Sequence, residues 1–556
     1  MAFDTTPAKT LHDVREALEA NRNLTETKRR DLISAINRVA RYLHKTPQDI
    51  PANAPDLRRL LAKVHPVQAG ITPKTWANIK SGLTRALRIT RAFPRDIPRT
   101  EHSAKWREFL AMSDAKHQVF VLSRFVKFCC HHGIEPEAVT DAVMRDFQSY
   151  IDARTLGKEP HKLCKGVAQM WNAIISRNNL PLQKMTYQKG GAHKCIPLPD
   201  YPESLLADFA CYQARVSHAD IFNEDAPIRP QAPMSLRNNE AGLRQYLDAL
   251  VQAGEDPKGF VDLRSVITAD NMKKAFIAYM QRRDLETPPA SLNNIAMLLL
   301  AIARHHLKLP QEEIDAIAGI RKHVATEPRG MSPKNKLRLA QFDNWENVAR
   351  LLSLPDRLME RANTAKAGRL AGLDAMYATV ITILLACPMR IKNLASLDLD
   401  RHLITQTRGT HTIYSIRIEG REVKNGEDIE VELNSGNSRL LHQYVMRFRP
   451  LVSEVPGTAL FPKASDGKPR HATNLGGALK QVLFRETGLK VSPHLFRHIA
   501  AMLYLREKPG DFKTVRRLLK HRTLQTTMDF YADLSNKWAH EQYDKVVLSK
   551  WGGSDV

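Results

Sequence analysis

Apolar residues recur with a helical period over the first two-thirds of the chain. Ile295, Leu298, Leu299, Ile302 and His306 follow the i, i+3, i+4, i+7 spacing of one buried helix face. Strand-like alternation is scarce before residue 400. It then appears in Thr412-Ile413-Tyr414-Ser415-Ile416-Arg417-Ile418 and in Ile429-Glu430-Val431-Glu432-Leu433. Between them stands Lys424-Asn425-Gly426-Glu427, and Asn-Gly between alternating runs is a strong hairpin signal. Helical spacing resumes near Ser438 and continues to the end. The pattern predicts a mainly α chain with one small antiparallel β-sheet in a C-terminal domain.

The helical part carries a diverged repeat. Three segments end a helix and place a proline: Tyr42-Leu43-His44-Lys45-Thr46-Pro47, His132-Gly133-Ile134-Glu135-Pro136 and Ala253-Gly254-Glu255-Asp256-Pro257. Each is followed by a threonine-led amphipathic stretch and then by a helix with asparagine near its apolar start. These starts are Trp76-Ala77-Asn78-Ile79, Trp171-Asn172-Ala173-Ile174 and Leu292-Asn293-Asn294-Ile295. The prolines lie 89 and 121 residues apart, the asparagines at 78, 172 and 294 lie 94 and 122 apart, and landmarks that move together argue for duplication. The expected domains are a helical one over 1–98, a second over 99–185 and a third over 235–325. A Pro-rich linker with a short helix around Leu205 to Val216 spans 186–234. It holds Pro197, Pro199, Pro202, Pro227, Pro230 and Pro233. A basic linker with Pro328, Arg329, Gly330 and Pro333 spans 326–342, and the C-terminal domain spans 343–556.

The length of 556 residues allows several cores, and 43% hydrophobic content excludes a disordered chain. Net charge is +24, with Lys and Arg spread along the whole length. That suits an extended polyanion touched by several domains, although a ribosome-associated protein would look similar. No apolar run of about eighteen residues is evident, so no membrane span is expected. Met1-Ala2-Phe3-Asp4 lacks the order of a signal peptide, and a cytoplasmic, nucleoid-associated protein is expected. None of the six cysteines forms a C-x-x-C pair, as in a reduced compartment. Cys129-Cys130-His131-His132 resembles a metal site only superficially. Adjacent helical residues point about 100° apart and cannot close a tetrahedron, so the two thiols are expected in the core.

Candidate chemistry lies near the C-terminus. Cys387-Pro388-Met389-Arg390 is followed by Ser492-Pro493-His494-Leu495-Phe496-Arg497-His498, then by Leu518-Leu519-Lys520-His521 and by Phe530-Tyr531. Phosphoryl transfer through a tyrosine needs a phenol that loses its proton, fixed positive charge for the nonbridging oxygens, and an acid for the leaving oxygen. Arginine suits the oxygens because its planar fork gives two parallel hydrogen bonds and stays charged. Pro388 should end the preceding apolar helix, so that Arg390 opens the next, where free amides add to an anion site. His494 and Arg497 share one helix face, with Ser492 as N-cap and Pro493 in the first turn. Taken singly, each has a bland alternative: a surface arginine, a core histidine, a packing tyrosine. No G-x-x-x-x-G-K-[ST] loop and no H-E-x-x-H motif is present, and no cofactor or metal is expected.

In combination these residues resemble the tyrosine recombinase (phage integrase) family. The likeness covers about residue 343 to the end and includes the strings R-I-K-N-L-A-S-L, S-P-H-L-F-R-H and L-L-K-H-R-T-L-Q-T-T. It implies that Tyr531 is the nucleophile, forming a 3′-phosphotyrosine. Arg390 and Arg497 would clamp the phosphate, and His494 and His521 would hydrogen-bond it. The family's hairpin lysine, acid for the leaving oxygen, falls on Lys424. Two positions depart from the family: Lys520 stands where glycine is usual, and Asn393 where a carboxylate is usual. The helical repeats resemble the family's SAM-like, core-binding-type domains, implying a clamp on double-stranded DNA. The segment from Leu534 to Trp551, with Trp538, Tyr543, Val546, Val547 and Leu548, resembles the tail helix that docks on a neighbouring subunit, implying a homotetramer on paired sites. The expected activity is site-specific recombination. Rivals are type IB topoisomerase-like relaxation and non-catalytic DNA binding.

Overall fold

The computed structural model describes residues 9–94, 97–98, 101–156, 160–186, 195–219, 230–325 and 330–548. The chain forms two compact units, one of residues 1–189 with 329–556, the other of residues 190–328.

The first helices of the larger unit are α1 (Leu11–Glu19), α2 (Glu26–Leu43), α3 (Ala54–Leu61) and α4 (Pro73–Ile89). Thr10 caps α1 in a reciprocal exchange with Asp13. Asn53 caps α3, and Thr72 caps α4 ahead of Pro73. Then come α5 (Ala104–Ala111), α6 (Lys116–His131), α7 (Asp141–Asp152) and α8 (Pro160–Asn178). Each foursome has its own apolar core, the second built on Trp106, Phe125, Phe147 and Trp171. Arg58 joins them. Its Nη1 donates to the carbonyls of Asp152 (2.7 Å) and Thr155 (2.6 Å), and its Nη2 pairs with the Asp152 carboxylate.

The smaller unit holds α9 (Glu203–Ser217), α10 (Pro233–Gln252), α11 (Leu263–Val266), α12 (Ala269–Arg282), α13 (Ala290–His305) and α14 (Gln311–Val324) around a third core. Here the sequence expectation needs correcting. Within the stretch expected to be a Pro-rich linker, Tyr201, Leu205, Phe209, Tyr212 and Val216 are buried in that core, because α9 has one continuous apolar face. Pro227 lies outside the described residues.

The three proline landmarks share one geometry. α2, α6 and α10 are followed by a left-handed residue, His44 (φ 51°), Gly133 (φ 66°) or Gly254 (φ 101°). The next amide reaches back five residues: Lys45 to the Ala40 carbonyl, Ile134 to Cys129 and Glu255 to Leu250. This is the Schellman closure of a helix. A short 3-10 turn then starts at Pro47, Pro136 or Pro257. The asparagines are less alike: Asn172 holds the Met185 backbone by two 2.9 Å bonds, whereas Asn78 and Asn294 face solvent. What recurs is the buried i, i+3 pair before or around them, Trp76 with Ile79, Trp171 with Ile174 and Leu292 with Ile295. Cys129 is buried, Cys130 half-buried, and His131 and His132 exposed.

The C-terminal part begins with α15 (Pro333–Leu339), α16 (Trp345–Leu352), α17 (Leu354–Thr364), α18 (Arg369–Ala386), α19 (Ile391–Ala395) and α20 (Leu399–His402). Strands β1 (Leu403–Arg408), β2 (His411–Ile418) and β3 (Ile429–Glu432) form an antiparallel sheet in that order, with Leu403 opposite Ile416 and Ile418 opposite Ile429. Helices α21 (Ser435–Gln443), α22 (Arg449–Val452), α23 (Ala472–Thr487), α24 (Leu495–Glu507), α25 (Phe512–Leu519) and α26 (Leu524–Tyr543) complete it. The structure bears out the expected mainly α chain with one small C-terminal sheet and its hairpin, and β1 is an addition. The basic stretch expected to be a linker folds instead onto this domain, where Met331, Leu339 and Phe342 are buried. Among the described residues α18 is the one helix long and apolar enough to cross a membrane, and most of it is buried in this core.

Trp106 is fully buried and its indole N–H donates to the Ile134 carbonyl at 2.8 Å. Trp106→Ala should destabilise the second core by about 3–5 kcal/mol. Hydrogen exchange should then quicken in α5–α8 and stay unchanged in α10–α14.

Candidate active site

The site is assembled where four chain segments meet. α18 stops at Ala386, ahead of Pro388, and Arg390 becomes the N-cap residue of α19. The half-buried Arg390 donates from Nη1 to the Asn425 side-chain oxygen at 3.1 Å. Asn425 sits in the β2–β3 turn, closed by the Gly426 amide on the Val423 carbonyl (3.0 Å) with Gly426 at φ 76°. Its amide donates in turn to the Lys520 carbonyl at 2.5 Å.

Arg497 is buried on α24. Its Nη1 donates to the Pro388 carbonyl at 2.7 Å and its Nη2 to the Leu519 carbonyl. Burial, and then the Arg390 charge, lower its pKa to about 10, so it stays charged at neutral pH. α24 starts at Leu495, not at a Ser492 cap. Ser492, Pro493 and His494 form a turn, in which the Leu495 amide bonds the Ser492 carbonyl at 2.8 Å. His494 therefore stands at the exposed edge of the helix start, one turn before His498, and the two rings meet edge-on at 4.9 Å.

His521 follows α25. Its Nδ1 lies 3.0 Å from the Thr527 hydroxyl, and its ring is parallel to that of Tyr531 with centroids 6.5 Å apart. Tyr531 is 1% exposed, and its hydroxyl lies 2.8 Å from Nδ1 of His498. It occupies the middle of a 20-residue helix, where a short helix and a separate tail helix were expected. No proline or glycine interrupts the sequence between Tyr531 and Tyr543, so the tail simply continues the helix. Lys424 is exposed at the β2–β3 turn, beside the Asn425 that holds Arg390.

The structure thus brings Arg390, His494, Arg497, His521 and Tyr531 close together within one chain, with Lys424 exposed on the neighbouring β2–β3 turn. A cavity of about 210 Å³ opens next to the arginines, lined by Arg390, Asn393, Asn425, Arg497 and Lys520 among others. Asn393 is buried there and its amide nitrogen has no hydrogen-bond partner in the structure. Burial pushes the Tyr531 phenol well above its usual pKa, and Arg497 partly opposes this. Burial lowers His521 to about 4, helped by the Arg497 and Arg390 charges. It lowers His498 to about 4, helped by His494 and Arg497. His494 is also lowered, by its protein surroundings and then by the two arginines. The planar guanidinium forks of Arg390 and Arg497 suit a phosphodiester anion.

Residues 355–537 match the model of the phage integrase family. They form a phage integrase family domain, about a third of the chain. Solved structures that resemble this chain include XerH bound to its difH substrate before cleavage, at 15% identity and TM-score 0.36, covering 56% of this chain and 79% of that one. A lambda integrase (75–356) dimer on a COC′ core site gives 13% and 0.35, covering 60% and 94%. The integrase of mycobacterium phage Brujita gives 16% and 0.22, covering 56% and 85%. Superpositions this loose carry no argument, and the assignment rests on the family match. No curated protein sequence matches this chain.

Sequence reasoning missed His498 and Asn425. Both adjoin residues it named, and a histidine one turn after His494 was the available signal. The Lys520 departure has a structural meaning. Lys520 adopts φ 50°, the left-handed residue that ends α25, with the His521 amide bonded to the Arg516 carbonyl at 3.0 Å. Glycine takes that conformation without strain. Lys520→Gly should therefore stabilise the protein by about 1 kcal/mol in chemical denaturation. Acid should act oppositely. His498 and His521 are uncharged in the folded chain, so the stability they contribute is complete above about pH 6.5 and is lost as pH falls toward about 4. A melting temperature that stays constant over that interval would contradict this.

Proposed function

We propose that this tyrosine recombinase cleaves and rejoins double-stranded DNA at specific sites through a 3′-phosphotyrosine formed by Tyr531, without metal or nucleotide. The observation that carries the reading is that the buried Tyr531 lies beside Arg497 and the rings of His498 and His521 within one chain, next to a cavity lined by Arg390 and Arg497. Arg390 and Arg497 clamp the nonbridging oxygens, His494 and His521 hydrogen-bond the phosphate, and Lys424 protonates the leaving 5′ oxygen. Transesterification keeps the energy of the broken bond in the phosphotyrosine link, so no external energy source is required.

The pocket is closed at rest. The Arg497 nitrogens are occupied by main-chain carbonyls and Tyr531 is shielded from solvent. Cleavage therefore requires α26 to shift toward a bound phosphate. The helical units over 1–98, 99–185 and 235–325 serve as DNA-holding modules, in line with the +24 charge. Beyond Trp538, which is buried against its own domain, Tyr543, Val546, Val547 and Leu548 are exposed. These apolar residues suit docking on a neighbouring copy, as in a homotetramer on paired sites. The Leu534 side chain and Trp551 lie outside the described residues.

Nicked suicide duplexes tiled from the DNA flanking the gene test the reading. The wild-type chain should leave a covalent adduct on a denaturing gel, and Tyr531→Phe should leave none. Equal adduct from the variant would sink the assignment, and relaxation of any supercoiled plasmid without strand exchange would favour a topoisomerase. Affinity for the cognate site should fall about a thousandfold or more between roughly 50 and 200 mM salt, as expected for about six or more phosphate contacts.

A further inference from the structure

The rings of two histidines, His498 and His521, face Tyr531, and among the described residues only His498 is within hydrogen-bonding distance of its hydroxyl, at 2.8 Å from Nδ1. The ring of His521 lies parallel to the phenol at 6.5 Å, with its Nδ1 engaged by Thr527. His494 meets His498 edge-on and stands at the exposed edge of the pocket. His498 is 3% exposed and has no other polar partner, its Nε2 being buried and unbonded. Packing fixes the ring: Phe530 stacks on it at 6.0 Å and 27°, and His494 abuts it at 4.9 Å.

We propose that His498 is a further catalytic residue, whose Nδ1 takes the phenolic proton of Tyr531 as the nucleophile attacks and returns it on rejoining. This rests on the reading of Tyr531 as nucleophile. In the forward step the Tyr531 oxygen–phosphorus bond forms and the bond from phosphorus to the 5′ oxygen breaks. The phenolic proton passes to His498, and the 5′ oxygen receives its proton from the acid assigned to Lys424. Rejoining reverses each transfer.

Several features favour the role. The ring is uncharged at neutral pH, so its lone pair is available. The groups facing it are His494 at the start of its helix, Arg497 on that helix, His521 after α25 and Tyr531 on α26. Burial holds the phenol protonated at rest, which prevents reaction without DNA. A phosphodiester anion bound between Arg390 and Arg497 would offset the charges that depress His498. Proton transfer then accompanies oxygen–phosphorus bond formation, as in general base catalysis.

The test uses the full-length chain and measures adduct formation in a single turnover on a cognate duplex with a 5′-bridging sulfur, whose leaving group needs no acid. The wild-type rate should be flat from about pH 6 to 9, since His498 is already unprotonated there. A wild-type rate that climbs tenfold per pH unit would mean that solvent takes the proton, and would overturn the proposal without any variant. His498→Asn keeps a hydrogen-bonding group near Nδ1 but accepts no proton. It should bind DNA normally, react about 10²–10⁴-fold more slowly and gain rate with rising pH. A profile parallel to wild type, or a rate within about threefold of it, would reduce His498 to packing. His498→Gln is read the same way if the asparagine variant does not fold. Failure of the wild-type chain to form any adduct, or equal adduct from Tyr531→Phe, would instead remove the recombinase reading itself.

Discussion

A single buried guanidinium holds the catalytic part together. Arg497 projects from α24 and donates to the carbonyl before Arg390 and to the carbonyl that ends α25. Without those acceptors a buried cation would be uncompensated, and without the cation two carbonyls would lose a charged donor. The same contacts fix the neighbouring reacting groups. Pro388 leads through Met389 to Arg390, and Leu519 leads through a left-handed Lys520 to His521. Asn425 closes the ring by bridging Arg390 to the Lys520 carbonyl.

This arrangement ties fold to restraint. The arginines present charge, yet one of them is already satisfied by the main chain. The phenol is close, yet buried and protonated. On the proposed function, a phosphate would replace carbonyl acceptors at Arg497, since its negative charge accepts more strongly than a neutral carbonyl. The DNA backbone itself would then supply the energy that opens the site.

Much of this was legible because the signals were local. The Asn-Gly turn between alternating runs marked the hairpin, and short strings carried the arginines, histidines and tyrosine. Strand β1 was not legible: nearly all its side chains are exposed, so it has no alternation and exists through pairing with β2. The stretch around Met331, Leu339 and Phe342 resembled a tether because apolar residues are sparse there, yet each of the three is buried. α9 was misjudged because prolines flank a helix whose apolar face belongs to the third core. His498 escaped notice because a histidine beside a buried arginine resembles ordinary packing, and only three-dimensional placement puts its nitrogen on the phenol.

Gly330 links that misjudged stretch to the chemistry. It takes φ 51°, and a Cβ there would lie 2.3 Å from the carbonyl of Asp529, two residues before Tyr531. The backbone leaving the helical modules thus lies flush against the turn that carries the phenol, separated by no side chain. Adding one methyl group at 330 would wedge the two strands of backbone apart. A position some two hundred residues upstream is in this way a steric neighbour of the helix turn that carries Tyr531.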